Sequence, residues 1–268
     1  MTYFGFLFRF LTIPLILFLT VAVLDERRGK TIPGFRNGRM VWMAIGLHVV
    51  LAVLYTTPWD NYLVATGVWR YDPDLVSGLF FGWVPLEEYI FFVLETILTG
   101  LWWWFLARRL SPPGEFKPSK YIRITSLVAL GLVWLGAVYL LIADWKPGAY
   151  LALILAWALP PIALQLAFGA DILWHHRKLV SLTVLPAFLY LSVTDSLAIA
   201  SGTWMIDPMQ TTGLFLGTLP IEEAVFFLVT VMLIGFGLTL TLAHLSKARW
   251  SSWMSSRLAG RMGNDQGK

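Results

Sequence analysis

The sequence predicts an all-α polytopic membrane protein, with seven transmembrane helices arranged as two parallel three-helix repeats joined by a linking helix. Three observations carry that prediction. Hydrophobic residues make up 57 % of the chain and charged residues 13 %, the latter about half the share of a soluble domain. Seven apolar runs are long enough to cross a bilayer. One glutamate-bearing stretch recurs without a gap 135 positions later, Asp60 aligning with Asp195.

The predicted spans are 3–24, 40–64, 85–107, 124–143, 149–170, 179–199 and 220–244. The first has no basic leader and its positive cluster (Arg27, Arg28, Lys30) follows it, so it reads as a retained helix and not a secretory signal. Segments 25–39, 107–123, 171–178 and 246–268 hold 17 of the 20 Lys and Arg; Arg70 and Lys146 lie in the opposite loops and Arg9 in the first span. Basic loops stay cytoplasmic, which predicts an outside amino terminus and a cytoplasmic carboxyl terminus in the cell membrane. The net charge of +4 is spread over these clusters, as a membrane protein uses it, and no nucleic-acid partner is expected. With no cysteine, disulfide frameworks, thiolate nucleophiles and sulfur-ligated metal centres are excluded.

The repeat organises the chain. Asp60, Gly67, Trp69, Asp72–Pro73, Gly78, Gly82, Pro85, Glu87–Glu88 and Phe91–Phe92 recur as Asp195, Gly202, Trp204, Asp207–Pro208, Gly213, Gly217, Pro220, Glu222–Glu223 and Phe226–Phe227. This predicts a first three-helix unit at 1–107, a linking segment with the fourth helix at 108–145, a second unit at 146–246 and a basic cytoplasmic tail at 247–268. Three spans reverse the side of the membrane and a fourth restores it, so the units run parallel about an axis along the membrane normal. Both Pro-x-Glu-Glu motifs then begin a helix on the outer side and can line one central site.

Proline at the first helical position with acids in the first turn is also simply a good helix start. Here, however, Val84 and Leu219 precede the prolines, so no capping box forms. The flanking residues Leu79, Phe80, Phe81 and Trp83, and Leu214, Phe215 and Leu216, are apolar, which puts the motifs below the membrane surface. Intramembrane carboxylates are costly and point to function, and Glu87, Glu88, Glu222 and Glu223 are the candidates. A turn later, Phe91 lies over Glu87 and Glu88 and Phe92 over Glu88, as Phe226 and Phe227 do for the second pair. That is an aromatic wall beside an acid, the setting for protonating an apolar molecule. Glu95 falls about 10 Å deeper than Glu88, a relay candidate whose counterpart is Thr230. Asp60 and Asp195 read either as members of the same polar cluster or as interfacial acids. Trp69 and Trp204 read either as interfacial anchors or as faces of a shaped outer loop.

Other signals point nowhere. His48 reads as a core histidine; His175–His176 lack a nearby carboxylate pair, so no metal site is read there. Gly235-Phe236-Gly237 lacks the rest of a dinucleotide fingerprint. A retinal photoreceptor needs a lysine in the last span, and 220–244 has none.

PLEE at 85–88 and PIEE at 220–223, each preceded by Gly-x-Trp…Asp-Pro and followed by Phe-Phe, resemble the membrane-embedded lycopene cyclase family, which occurs as paired small subunits or as a fused chain. The resemblance covers nearly the whole chain. It implies that Glu87, Glu88, Glu222 and Glu223 are the catalytic carboxylates, with Pro85 and Pro220 as structural parts of the motif. It implies cofactor-free, acid-catalysed cyclisation of linear carotenoid end groups, lycopene giving γ-carotene and β-carotene, an isomerase (intramolecular lyase) reaction. The implied partners are an apolar carotenoid entering from the bilayer, the lipid membrane, and other enzymes of carotenoid biosynthesis. Relatives acting as carotenoid hydratases or on C50 carotenoids leave the substrate open within the family. Outside it, the alternative is a proton-coupled small-solute transporter of the same three-plus-one-plus-three plan.

Overall fold

The structure is a computed structural model and describes residues 1–265; the last three residues of the predicted tail lie outside them. Seven helices are long and apolar enough to cross a membrane: α1 (Tyr3–Arg27), α2 (Arg39–Ala65), α3 (Leu86–Ala107), α4 (Lys120–Ile142), α5 (Ala149–His175), α6 (Arg177–Ala200) and α7 (Ile221–Leu242). An eighth, α8 (His244–Asp265), takes up the start of the predicted tail. The bounds follow the apolar runs closely except at α5, which is predicted to end at 170 and continues through a bend at Gly169 to His175. The extra turn carries Asp171 inward because Arg249 of α8 grips both of its oxygens, at 2.8 and 2.6 Å.

Five prolines interrupt these helices, and a proline at position i leaves the carbonyl of i−4 without its donor. Four of the freed carbonyls receive an aromatic donor from a neighbouring helix. The Tyr190 hydroxyl donates to Phe10 O (2.8 Å), left by Pro14, and the Tyr55 hydroxyl to Trp157 O (2.9 Å), left by Pro161. Trp134 Nε1 serves Ala156 O (3.2 Å), left by Pro160, and Trp102 Nε1 serves Leu182 O (3.0 Å), left by Pro186. Just before Pro14, a π-turn at Leu7–Thr12 widens α1 and absorbs the break.

Burial ranks the helices. In α3 and α7, 67 % and 72 % of the most apolar stretch is buried, against 6 % in α4. So α3 and α7 pack together at the centre, α1 and α2 flank α3, α5 and α6 flank α7, and α4 lies outside along α5.

Among the described residues, the loops on the side of the amino terminus hold six short strands: β1 (Trp69–Tyr71), β2 (Phe80–Phe81), β3 (Val84–Pro85), β4 (Trp204–Ile206), β5 (Phe215–Leu216) and β6 (Leu219–Pro220). β2–β3 and β5–β6 are hairpins closed by two-residue loops whose first residues, Gly82 and Gly217, have φ of +70° and +66°, as tight hairpin loops require. β1 and β4 pair antiparallel, with Arg70 opposite Met205, two positions 135 apart in sequence.

Two expectations follow at the side opposite the amino terminus. Arg249→Met leaves the fully buried Asp171 carboxylate without its tightest cation, a change that costs about 3–5 kcal/mol; the apparent melting temperature in detergent should drop, and Asp171→Asn added to it should restore part of the loss. Between α5 and α6, burial and the adjacent His175 push the His176 imidazole down to about 4. An unfolded chain binds that proton near pH 6.5, so the unfolded state gains protons first and stability falls as pH drops from about 6.5 toward the folded value. Melting curves should show that fall in the wild type and a shallower one in His176→Asn.

Candidate active site

The starts of α3 and α7 are built alike. Pro85 and Pro220 stand at the helix caps in extended conformation and no side chain caps either end. The first glutamate of each pair turns back to the preceding loop instead. The Ser77 N–H and hydroxyl donate to Glu87, at 2.5 and 3.1 Å, and the Thr212 N–H donates to Glu222 at 2.7 Å.

The second glutamate of each pair points into the protein. Glu88 Oε2 accepts the hydroxyls of Tyr3 (2.5 Å) and Tyr71 (3.1 Å); Glu223 Oε1 accepts that of Tyr150 (2.5 Å). Tyr3 and Tyr150 are supplied by the first turns of α1 and α5. Tyr71 comes from β1, and burial together with the neighbouring Glu88 holds its phenol well above the ordinary value, so it stays a donor across the neutral range. Adjacent helical residues differ by about 100° in direction, which lets one pair serve both loop and interior.

Glu88 and Glu223 face the same cavity, a space of about 30 Å³ that Asp195 also lines. Its walls are the rings of Phe91, Phe226, Phe227, Trp69 and Trp204. Trp204 Nε1 donates to Asp195 Oδ1 (2.9 Å) and fixes that carboxyl; both oxygens of the fully buried Asp60 lack a hydrogen-bond partner. Asp60 and Asp195 are buried, and Trp69 and Trp204 stand in β1 and β4 and line the cavity. Phe92 turns away from it into a neighbouring groove. Glu95 also lies outside the cavity, buried at the α3–α7 contact, where the Thr230 hydroxyl donates to its Oε1 at 3.1 Å. Among the described residues, no ion pair reaches any of these carboxyl groups.

Sequence reasoning missed Tyr3, Tyr71, Tyr150, Ser77 and Thr212. Ser77 and Thr212 obey the 135-residue offset but differ in type, so an identity search passes over them. Tyr3 and Tyr150 stand 147 apart because the connection after α1 (28–38) is longer than the single residue His176 after α5. A search allowing a gap there aligns the two tyrosines.

Chemically, the arrangement offers the carboxyl groups of Glu88, Glu223 and Asp195 and a lining of aromatic faces around one small space. It can give a proton to an apolar molecule, hold a cation against rings and take a proton back.

The sequence matches the pattern of the family described as lycopene cyclase over residues 1–106 and 147–241, two blocks that flank α4. It is 42 % identical over 206 residues to a lycopene beta-cyclase of Halobacterium salinarum, covering 77 % of this chain and 84 % of that one. It is 36 % identical over 239 residues to a bifunctional lycopene cyclase/phytoene synthase of Podospora anserina, covering 85 % of this chain and 38 % of that one. A protein of the same description from Colletotrichum graminicola is 40 % identical over 205 residues, 71 % of this chain and 34 % of its own. No solved structure matches. With matching blocks on both sides of the linking helix and two glutamate-paired helix starts meeting at one cavity, the chain belongs to the lycopene cyclase family.

Proposed function

We propose that this protein is a cofactor-free lycopene β-cyclase, an isomerase that closes β-rings on linear carotenoid end groups. The observation that carries the reading is the convergence of Glu88 and Glu223 on one aromatic-walled cavity. The 42 % identity to a lycopene beta-cyclase across most of both chains supports it, and nothing supports the transporter alternative.

The chemistry needs an acid, a base and protection for a cation. One carboxyl group, neutral at the start, protonates the terminal double bond of the substrate and leaves a tertiary cation. The neighbouring double bond attacks that carbon and closes a six-membered ring. The second carboxylate then takes a proton from the ring carbon, leaving the β-ring double bond. One proton is added and one removed, so mass and oxidation state are unchanged. Tyrosine hydroxyls hold one oxygen of each glutamate and so orient the carboxyl group that gives or takes the proton. The faces of Phe91, Phe226, Phe227, Trp69 and Trp204 stabilise the moving positive charge, and exclusion of water keeps the cation from being hydrated.

Glu87 and Glu222 are positioning residues in this reading, since the Ser77 and Thr212 loops donate to them and neither lines the central cavity. The two units form one composite site, parallel about an axis along the membrane normal, on the side of the amino terminus, which the basic loops assign to the outside. The substrate reaches the site from the bilayer, and enzymes that make or modify carotenoids are the partners.

Expression in bacteria that accumulate lycopene tests the activity. Pigment of unchanged mass with shorter-wavelength absorption is expected; a product heavier by one water would make the protein a hydratase and overturn the cyclase assignment. In the same cells, Glu88→Gln and Glu223→Gln should each lower conversion by about 100-fold or more at equal protein level. Glu87→Gln and Glu222→Gln keep a carbonyl for the loop N–H and should lose less than about tenfold. Equal losses at all four positions would remove the division of roles.

A further inference from the structure

The central cavity is small, about 30 Å³, and the long chain behind a carotenoid end group needs a seat of its own. Two grooves of suitable size flank the α3–α7 pair. One, of about 250 Å³, lies between α2, α3, α5 and α7; the other, of about 270 Å³, lies between α1, α3 and α6. They are counterparts: Leu51, Ala52 and Tyr55 of the first stand 135 positions before Pro186, Ala187 and Tyr190 of the second. Each groove sits beside a proline break, and its tyrosine is the one that repairs the freed carbonyl.

The grooves differ in their connection to the carboxyl groups. Phe226 lines both the first groove and the central cavity, whereas no residue of the second groove lines the cavity. Phe226 is thus the partition between the first groove and Glu223. It belongs to a ladder of flat faces, with Trp59 parallel to it at 5.7 Å and Trp157 parallel to Trp59 at 4.5 Å. The outer mouth is open at Leu51 and Tyr55, 52 % and 45 % exposed on a membrane-facing helix. The inner end reaches Glu95 and Thr230 at the α3–α7 contact.

We propose that the groove between α2, α3, α5 and α7 seats the conjugated chain of the substrate, and that Phe226 is the movable partition through which the end group passes into the carboxylate cavity. The proposal rests on the cyclase reading. A conjugated polyene is flat, rigid and apolar, and matches a groove walled by parallel ring faces and open to the bilayer. A saturated lipid tail fills the same space without needing flat walls or a passage to the acids. The counterpart groove supplies a control of equal size at an equivalent position.

Lycopene is the probe, with two readouts: its conversion in membranes, and its retention by protein purified in detergent in the Glu88→Gln background, which separates binding from turnover. Ala52→Trp, which fills the first groove, should lower conversion by about tenfold or more and retained lycopene in parallel. Ala187→Trp, which fills the second, should change both by less than about twofold. Should Ala52→Trp fail to reach the membrane, Ala52→Val and Ala52→Phe are read in its place, with losses rising with side-chain volume. Unchanged conversion and retention on filling the first groove, as expected of a seat for lipid tails, overturns the proposal; so does an equal or greater loss from Ala187→Trp. A wild-type protein that retains lycopene but converts none, with retention lost in Ala52→Trp, refutes the cyclase reading and leaves the groove assignment standing.

Discussion

Inside a bilayer no water is available to a polar group, so every donor and acceptor must find its partner within the protein. Most of this structure answers to that constraint. The helices carry prolines, and aromatic hydroxyls and indoles from adjacent helices occupy the carbonyls that the prolines strand. The two central helices begin with paired glutamates, and backbone amides, hydroxyls and tyrosines converge on them. Where Trp103 is fully buried, its indole finds the Thr239 hydroxyl at 2.9 Å. Side-chain packing alone does not hold such helices together strongly, because lipid tails are as apolar as leucine; these polar contacts fix which helices meet and at what depth.

The same rule explains why α1 and α5 are pinned at both ends. Each offers a tyrosine to a glutamate at its first turn. Each carries an aspartate near its other end, Asp25 meeting Lys30 and Arg109 at 2.8 Å each and Asp171 meeting Arg249 at 2.6 Å. A helix held at two such points cannot slide along its axis, and the tyrosine hydroxyls are thereby kept at the height of Glu88 and Glu223. Rigidity at the carboxyl groups thus has its source some 20 residues away in sequence, about 30 Å along the helix.

The spans were legible because apolar runs of this length have few alternatives, and the motif was legible because Pro, Glu, Gly and Trp at fixed spacing stand out in a chain of leucine and valine. What the sequence hid was direction. Glu87 and Glu88 are chemically identical, and only the positions of Ser77 and Tyr3 send one to a loop and the other to the cavity. Asp171 reads as a loop residue because a lone acid does not belong in a span; its partner Arg249 lies 78 positions on, in a segment that reads as tail. Phe91 and Phe92 are chemically identical and point about 100° apart; one lines the cavity and the other the groove, and the packing around α3 decides which is which.

The contact between Glu95 and Thr230 joins two positions 135 apart, as does the pairing of Arg70 with Met205. Each is a point where one half of the chain touches its own counterpart. If either half paired with a copy of itself, the deep contact would hold two acids with no donor between them, or two hydroxyls with no strong acceptor. One half of each kind gives one donor and one acceptor. The peripheral α4, which contributes so little to the interior, joins the stretch that carries the acid to the stretch that carries the hydroxyl, so one chain supplies both partners of this contact.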